Sequence, residues 1–316
     1  MRATAKQLLL ASYYAASQPV RFAIHRRLRN TQQLPSAVLF YHRVADKHHT
    51  PWTISNKDFR KHIHYLKNHF ELVPLSTLQS QTGQAANRKM MVSITFDDGY
   101  AENFDHAIPL LLAEGIPFTY FVSSNFILSQ KVFPHDAKLG LNLRPNTPEQ
   151  IRFLADRGVV IGGHTSNHSD MGTITAPEQV RSEILGDIRV LEALTGKPIE
   201  YFAFPYGDVH NMSQTAMDVL RSTNLRGMCS AYGEFNRPNS DLWHIRRIHG
   251  DPGMLRLKNW LTLDPRKLRR KKQFPFTFGP LGTSQPNPNQ MLEAIPDTVV
   301  IPPIVSGVSL NVPTTV

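Results

Sequence analysis

The sequence predicts an α/β protein built on a parallel sheet, and three observations carry that prediction. From Ser36 to about Gly250, short apolar runs alternate with segments of helical period, the pattern of strands joined by crossover helices. About seven or eight such strands are countable, enough for a barrel, although periodicity alone does not separate a barrel from an open sheet. Three of the runs stop at chemically loaded turns: Asp97-Asp98-Gly99, Gly162-Gly163-His164 and Pro205-Tyr206-Gly207-Asp208. Ligands bind at such carboxyl-end turns in parallel α/β folds.

Taken in order, the chain opens with Arg2 and Lys6 ahead of a short apolar run over 8–16, interrupted by Tyr13 and Tyr14. That run resembles a signal-peptide core. It continues without a break into the basic stretch 20–29, so residues 1–35 read as a basic amphipathic helix that lies on a membrane or covers the side of the domain. Ala37–Tyr41 is the first strand. Ser55 caps a helix with Phe59, Ile63, Leu66 and Phe70 on its apolar face and Lys57, Arg60, Lys61 and Lys67 outside. Residues 71–74 read as a short strand and 79–89 as a polar loop.

Met91, Val92, Ile94 and Phe96 make a buried strand that ends in two carboxylates, and Gly99 lets the chain turn sharply. Asp-Gly is also a hairpin signal. The helical spacing of Phe104, Ala107, Ile108, Leu111 and Leu112 argues for strand, turn, helix instead. After the aromatic strand Phe118–Val122, residues 123–146 form a long loop holding Phe126, Phe133, His135 and Asp136, read as part of the substrate cleft or as a surface excursion. Thr147, Pro148 and Gln150 have the chemistry of a helix start. Thr175-Ala176-Pro177-Glu178 reads as a second capping box, opening a helix through Val180, Ile184, Ile188, Leu191 and Leu194 that stops at Gly196 and Pro198. A helix around Met217, Leu220 and Leu225 and strands at 228–231 and 242–248 complete the pattern. Leu255, Leu257, Trp260 and Leu261 suggest one packing helix, residues 266–272 are a dense basic run, and from Phe274 onward a Pro- and Gly-rich stretch without period reads as a disordered tail.

With 316 residues and 41% hydrophobic content, the chain supports one large α/β domain. A net charge of +10 and a pI near 9.8 favour anionic surfaces. The basic run is either a solvated segment or a tether to an anionic membrane surface. Without aromatic interleaving it is not read as a nucleic-acid site. The single cysteine, Cys229, forms no internal disulfide, and beside Met228 it reads as a small buried hydrophobe. No run reaches the roughly 20 apolar residues of a spanning helix. The sequence sets no oligomeric state.

His164 and His168, four apart, face the same way if they lie on one helical turn, and imidazole with carboxylate is an ordinary ligand set for a divalent metal. In a chain with 14 histidines the pair alone says little; coupled to the acidic turn it says more. Three side chains holding a metal with one position open, and a second carboxylate beside them, are what amide hydrolysis needs. Asp98, His164 and His168 would be the ligands and Asp97 the base.

Thr95-Phe96-Asp97-Asp98-Gly99, His164-Thr165-x-x-His168 and Phe202-x-x-Pro205-Tyr206-Gly207, in this order, resemble the polysaccharide deacetylase family with its NodB-homology domain, the carbohydrate esterase family 4 type. Leu39-Phe40-Tyr41-His42-Arg43-Val44 resembles the first strand of the branch marked by Tyr-His-x-Val. The resemblance implies a distorted (β/α)7 barrel of the glycoside hydrolase/deacetylase type, with residues 36–262 as the deacetylase domain and 263–316 as a basic run and Pro-rich tail. It implies one divalent ion, zinc by preference with cobalt, nickel or manganese as alternatives, on Asp98, His164 and His168. Asp97 is then the base, and the Tyr206 backbone N–H meets the oxyanion. Pro205, Tyr206 and His244 are candidate substrate contacts. His42 is the first candidate for general acid, and His244, in Leu242-Trp243-His244, the second.

One departure stands out: Ala203 occupies a position where many members carry an arginine that pairs with the base. Arg246 or Arg247 could reach in from the last strand, unless they form surface salt bridges. The implied reaction removes N-acetyl groups from an acetylated glycan. Hydrolysis of a small non-sugar amide and a catalytically silent glycan-binding protein are the competing readings. A cytoplasmic or membrane-peripheral location fits the absent disulfides, whereas export fits the family.

Overall fold

In a computed structural model, residues 5–250, 253–269 and 272–277 are described. Seven strands follow one another around a ring: β1 (Ala37–Tyr41), β2 (Met91–Phe96), β3 (Phe118–Val122), β4 (Val160–Gly163), β5 (Tyr201–Ala203), β6 (Gly227–Ser230) and β7 (His244–His249). All pairings are parallel. β1 pairs with β7, Val38 opposite Arg247, and with β2, Leu39 opposite Ile94, which closes the barrel. The expected (β/α)7 barrel is therefore the observed one. The short strand Glu71–Leu72 hangs on the amino end of β2, and Arg43–Val44 pairs with Thr53–Ile54 in a separate ribbon.

Successive strand residues point to opposite faces, and the packing follows that alternation. Val38, Phe121, Ala203, Cys229 and Ile245 belong to a buried cluster that fills the barrel, whereas their neighbours Leu39, Tyr120, Phe202 and Met228 belong to the cluster between strands and helices. Each such large side chain contributes about 1.5–3 kcal/mol on burial. Cys229 is in the barrel interior, where burial pushes its thiol up to about 12.

The N-terminal segment forms two helices, α1 (Ala5–Ala16) and α2 (Gln18–Asn30). Arg21 is buried. Its guanidinium donates to the Asn259 carbonyl at 3.0 Å and the Thr262 hydroxyl at 2.9 Å, and lies 3.5 Å from Asp264, which accepts from the Tyr13 hydroxyl at 2.7 Å. The segment is thus pinned to the helix Met254–Leu261 and the turn after it. Ser55 caps α3 (Asn56–His69), as expected, by accepting from the Asp58 N–H.

Several local expectations need correction. Residues 79–82 belong to the helix Leu75–Thr82. Gln79 is buried at the amino end of the barrel, its amide donating to the Arg226 and Leu242 carbonyls at 2.7 and 2.8 Å and accepting from the Tyr201 hydroxyl at 2.8 Å. Its polarity is satisfied by strand-end backbone, so a loop-like composition sits in a helix. The box at Thr147 and Gln150 forms, but Thr175 caps nothing. The helix Pro177–Arg181 starts at Ala176 with Pro177 in its first turn, then widens into a π-turn over Ser182–Gly186 before the helix Asp187–Thr195. The long loop 123–146 holds two short helices, Ser124–Ser129 and Pro134–Ala137, around their own apolar cluster of Tyr100, Phe126, Phe133 and Leu143. Phe274, expected to begin a disordered tail, packs its ring 4.3 Å from that of His244. The rest of the expected tail, 278–316, lies outside the described residues.

Candidate active site

The carboxyl ends of β2, β4 and β5 each deliver one of the loaded turns. After β2 the chain takes two left-handed residues in succession, Asp98 (φ 70°) and Gly99 (φ 82°), and the Gly99 N–H donates back to the Asp97 carbonyl at 2.9 Å. A Cβ on Gly99 would approach Val122 Cγ1 to 2.9 Å, so the turn needs glycine for both conformation and space. After β4 the histidine pair lies on a loop and not on a helical turn. Thr165 (φ 59°) and His168 (φ 53°) fold it back, and the Thr165 hydroxyl accepts from the Ser169 N–H at 2.8 Å. The two imidazoles still converge, with ring centroids 5.1 Å apart.

One ligand atom from each of Asp98, His164 and His168 lies within 4.8 Å of the other two. Asp98 Oδ1 is 3.4 Å from His164 Nε2 and 3.1 Å from His168 Nε2, yet it has no donor in hydrogen-bonding geometry. Burial pushes the Asp98 carboxyl up, but the imidazoles of His168 and His164 outweigh it and hold the group well below the usual carboxylate range. His164 Nδ1 lies 2.7 Å from the Ala203 carbonyl, which holds the ring with Nε2 facing the carboxylate. The π-turn and the first residue of the helix after it supply the outer support: Asp187 accepts from the backbone N–H groups of His164 at 2.8 Å and Ser124 at 2.9 Å, and Glu183 accepts from the Asn167 backbone and side chain. Two nitrogens and one oxygen around a common point, with an unsatisfied buried oxygen among them, fit a divalent cation.

Asp97 stands next to this triad and is held from the opposite side of the barrel. Arg247, at the inward position of β7 level with Val38, donates through Nη1 to Asp97 Oδ1 at 2.6 Å and through Nη2 to Oδ2 at 2.9 Å, and Nη1 also reaches the Thr95 hydroxyl at 3.2 Å. Its guanidinium lies near the rings of Phe40 and Phe121. Of the two arginines on this strand, Arg246 instead lies 3.3 Å from Glu234. The alanine at 203 is thereby accounted for: the arginine that pairs with the first aspartate comes from β7, and Ala203 gives its carbonyl to His164.

Tyr206 (φ 60°) follows Pro205 in a tight turn, where the Gly207 N–H donates to the Pro205 carbonyl at 2.6 Å. The Tyr206 ring is 59% exposed and 5.2 Å from that of His168. His42 sits where β1 ends, its carbonyl accepting from Asn103 Nδ2 at 2.7 Å and its ring edge-on to Phe40. His244 does not join the site. It lies at the amino end of β7, with Nε2 2.8 Å from the Ser230 hydroxyl and its ring beneath Phe274, because alternation along the strand turns it away from the face that carries Arg247.

Two histidines at this end were not singled out as site residues. His249 ends β7, its ring 5.7 Å from that of His42, and Ile248-His249-Gly250 repeats the strand-then-glycine pattern of the acidic turn. His135, from the long loop, stacks on Phe133, meets the Trp52 ring at 5.1 Å and the His168 ring at 5.4 Å, and lies 2.9 Å from the Tyr100 hydroxyl. Burial lowers it to about 4, so its imidazole is neutral at neutral pH. Among the described residues, no helix is long and apolar enough to cross a membrane.

Residues 84–228 match the family model described as polysaccharide deacetylase. The chain is 24% identical over 219 residues to a putative polysaccharide deacetylase, YxkH, of Bacillus subtilis, an alignment that covers 69% of this chain and 72% of that protein. Two solved structures share the fold. IcaB of Ammonifex degensii superposes with a TM-score of 0.59 at 22% identity, covering 72% of this chain and 95% of that one. The Streptococcus pyogenes deacetylase PplD, solved in complex with acetate, gives a TM-score of 0.61 at 17% identity and covers 73% and 99%.

Proposed function

We propose, from the premise that the chain carries a polysaccharide deacetylase (NodB-homology) domain, that it is a metal-dependent hydrolase removing N-acetyl groups from an acetylated glycan. The observation that carries this reading is the convergence of Asp98, His164 and His168 beside a second carboxylate tethered by Arg247. A divalent ion on those three ligands supplies Lewis-acid polarisation of the acyl oxygen and a more acidic water. Zinc is our first choice from the nitrogen-rich donor set.

Asp97 takes the proton of the attacking water. The bidentate pair with Arg247 uses two of the four lone-pair positions of the carboxylate and fixes its plane, leaving the others to accept. As the acyl carbon gains the water's oxygen, charge gathers on the former carbonyl oxygen, and the Tyr206 backbone N–H is the donor assigned to it. The carbon–nitrogen bond then breaks and the amine leaves with a proton from His42, our choice of general acid because it lies at this end of the barrel while His244 does not. Pro205 and the Tyr206 ring shape the sugar contact. The products are acetate and a glycan with a free amine.

The test is acetate release from N-acetylglucosamine oligomers by protein stripped of metal and resupplied with zinc, cobalt, nickel or manganese. Release restored by metal and absent in Asp98→Ala is the expected result. Folded, metal-loaded protein that leaves every acetylated glycan intact but hydrolyses small amides would move the assignment to those substrates.

A further inference from the structure

A groove of about 1020 Å³ runs along the flank of the barrel between α1 and the helix Met254–Leu261. Its walls are mainly apolar, with Leu9, Leu10 and Tyr13 on one side and Met254, Leu255 and Trp260 on the other. One end is marked by His249, whose ring neighbours that of His42 at the catalytic end of the barrel. Elsewhere the groove meets the outer surface of the N-terminal helices, where Leu8, Leu9, Val20 and Phe22 are four of the seven large hydrophobic side chains that the described residues leave exposed. The groove thus extends from a histidine beside His42 to the exposed Leu9 of α1.

Its lining carries three cations and one acid, Asp264. Arg256, Arg266 and Lys267 line it; Arg266 pairs with Asp264, and Arg256 is exposed. A second hollow of about 810 Å³ shares Met254 with it and is lined by Lys57, Arg60, Lys61 and Lys258 and by one acid, Asp46, while Lys61 also pairs with Asp58. No Asp or Glu precedes Asp46 in the sequence. An apolar trough with a cationic border complements a molecule that is apolar along its length and anionic at one point.

We infer that this groove takes the lipid chain of the substrate, so that the acetylated sugar reaches the metal centre carried on a phosphate-linked lipid. The inference rests on the deacetylase reading and narrows it from acetylated glycans in general to lipid-borne ones. The chain lies between α1 and the helix Met254–Leu261, the phosphate meets the basic border, and the sugar extends past His249 toward His42. Covering as few as two methylenes is worth about a tenfold change in affinity.

Two readouts test it on the full chain. In the first, acetate release is compared for N-acetylglucosamine joined through pyrophosphate to a short polyprenyl chain and for a soluble N-acetylglucosamine oligomer. The KM for the lipid-borne sugar is expected to be about tenfold lower or better. Leu9→Glu and Arg256→Glu, both at exposed positions outside the reaction site, should raise that KM about fivefold while leaving turnover of the soluble oligomer unchanged. In the second readout, a brominated polyprenyl phosphate should quench tryptophan fluorescence, and the quenching should fall away in Trp260→Phe. Equal KM values for the two substrates, or no quenching at Trp260, would overturn the inference and leave the deacetylase reading intact. Quenching without acetate from either compound would overturn the deacetylase reading instead. Equal quenching by vesicles of brominated phosphatidylglycerol, with no preference between substrates, would give the groove to the bilayer and also overturn the inference.

Discussion

The two ends of the barrel reverse the chain by different means. At the amino end, the turns that lead from helix to strand pass through Gly115, Gly158 and Gly196, with φ of 62°, 81° and 65° and no atom within 4 Å of where a Cβ would stand. Here glycine serves conformation alone. At the carboxyl end, Asp98, Thr165, His168 and Tyr206 adopt the same left-handed region with side chains attached. Each such residue costs on the order of 1 kcal/mol or more. Charge is divided the same way, since the buried Asp97–Arg247 pair and the Asp98, His164, His168 cluster all lie at the strained end. One end is built for stability, and the other holds side chains where folding alone would prefer glycine or hydrocarbon.

The largest effect should come from removing a ligand. Asp98→Ala or His164→Ala forfeits several kcal/mol of transition-state stabilisation, so acetate release should fall on the order of a thousandfold, with stoichiometric metal binding lost in equilibrium dialysis. Retained metal at full stoichiometry in both variants would show that the ligands lie elsewhere.

Next comes the buried pair. Arg247→Met leaves Asp97 buried without its partner and should cost about 3–5 kcal/mol in urea unfolding. The double variant Asp97→Leu with Arg247→Met should regain most of that stability and none of the activity. If the double variant remained as unstable as the single one, the pair would count as structural, and the contrast between the two ends would weaken.

The turns themselves permit a sharper comparison. Gly196→Ala forces a Cβ into the left-handed region and should cost about 1 kcal/mol of stability with little change in turnover. Tyr206→Gly relieves the same strain and should be neutral or stabilising by up to about 1 kcal/mol while turnover falls. Opposite signs of stability change at matched φ are the expected result, read from paired denaturation curves.

Most of the division between the ends was legible in the sequence because it is local. A strand closed by Asp97-Asp98-Gly99 or by His164 announces both its direction and its chemistry. What stayed hidden depends on partners far along the chain. Nothing near Arg247 says that it, and not Arg246, faces inward, since that is decided by the register Val38 opposite Arg247. His135 belongs to a loop without period, and only the apolar cluster around Phe133 sets its ring against His168. Gln79 looked like a loop residue because its three hydrogen bonds go to residues more than 120 positions away. His244 misled for the opposite reason. Its Leu-x-His wording is local, but the alternation of β7 turns it outward.

A pH titration tests whether burial of charge at the catalytic end carries a stability cost. Asp136 is fully buried beside Tyr100, whose hydroxyl donates to it at 2.8 Å. Burial lifts its carboxyl to about 6; the Tyr100 hydrogen bond opposes the rise and the Asp98 charge adds to it. A native-state value above the unfolded one means that the folded protein holds this proton more tightly. The contribution is therefore full below the unfolded value near 4 and is lost as pH rises through about 6. Asp136→Asn keeps the shape and cannot ionise. The difference in unfolding free energy between variant and wild type should accordingly move in the variant's favour from pH 4 to pH 7, and His135, which titrates in both proteins, largely cancels in that difference. A difference that stayed flat across the window would mean that Asp136 ionises in the native state as readily as in the unfolded chain, and that the loop around Phe133 admits water to this side of the site.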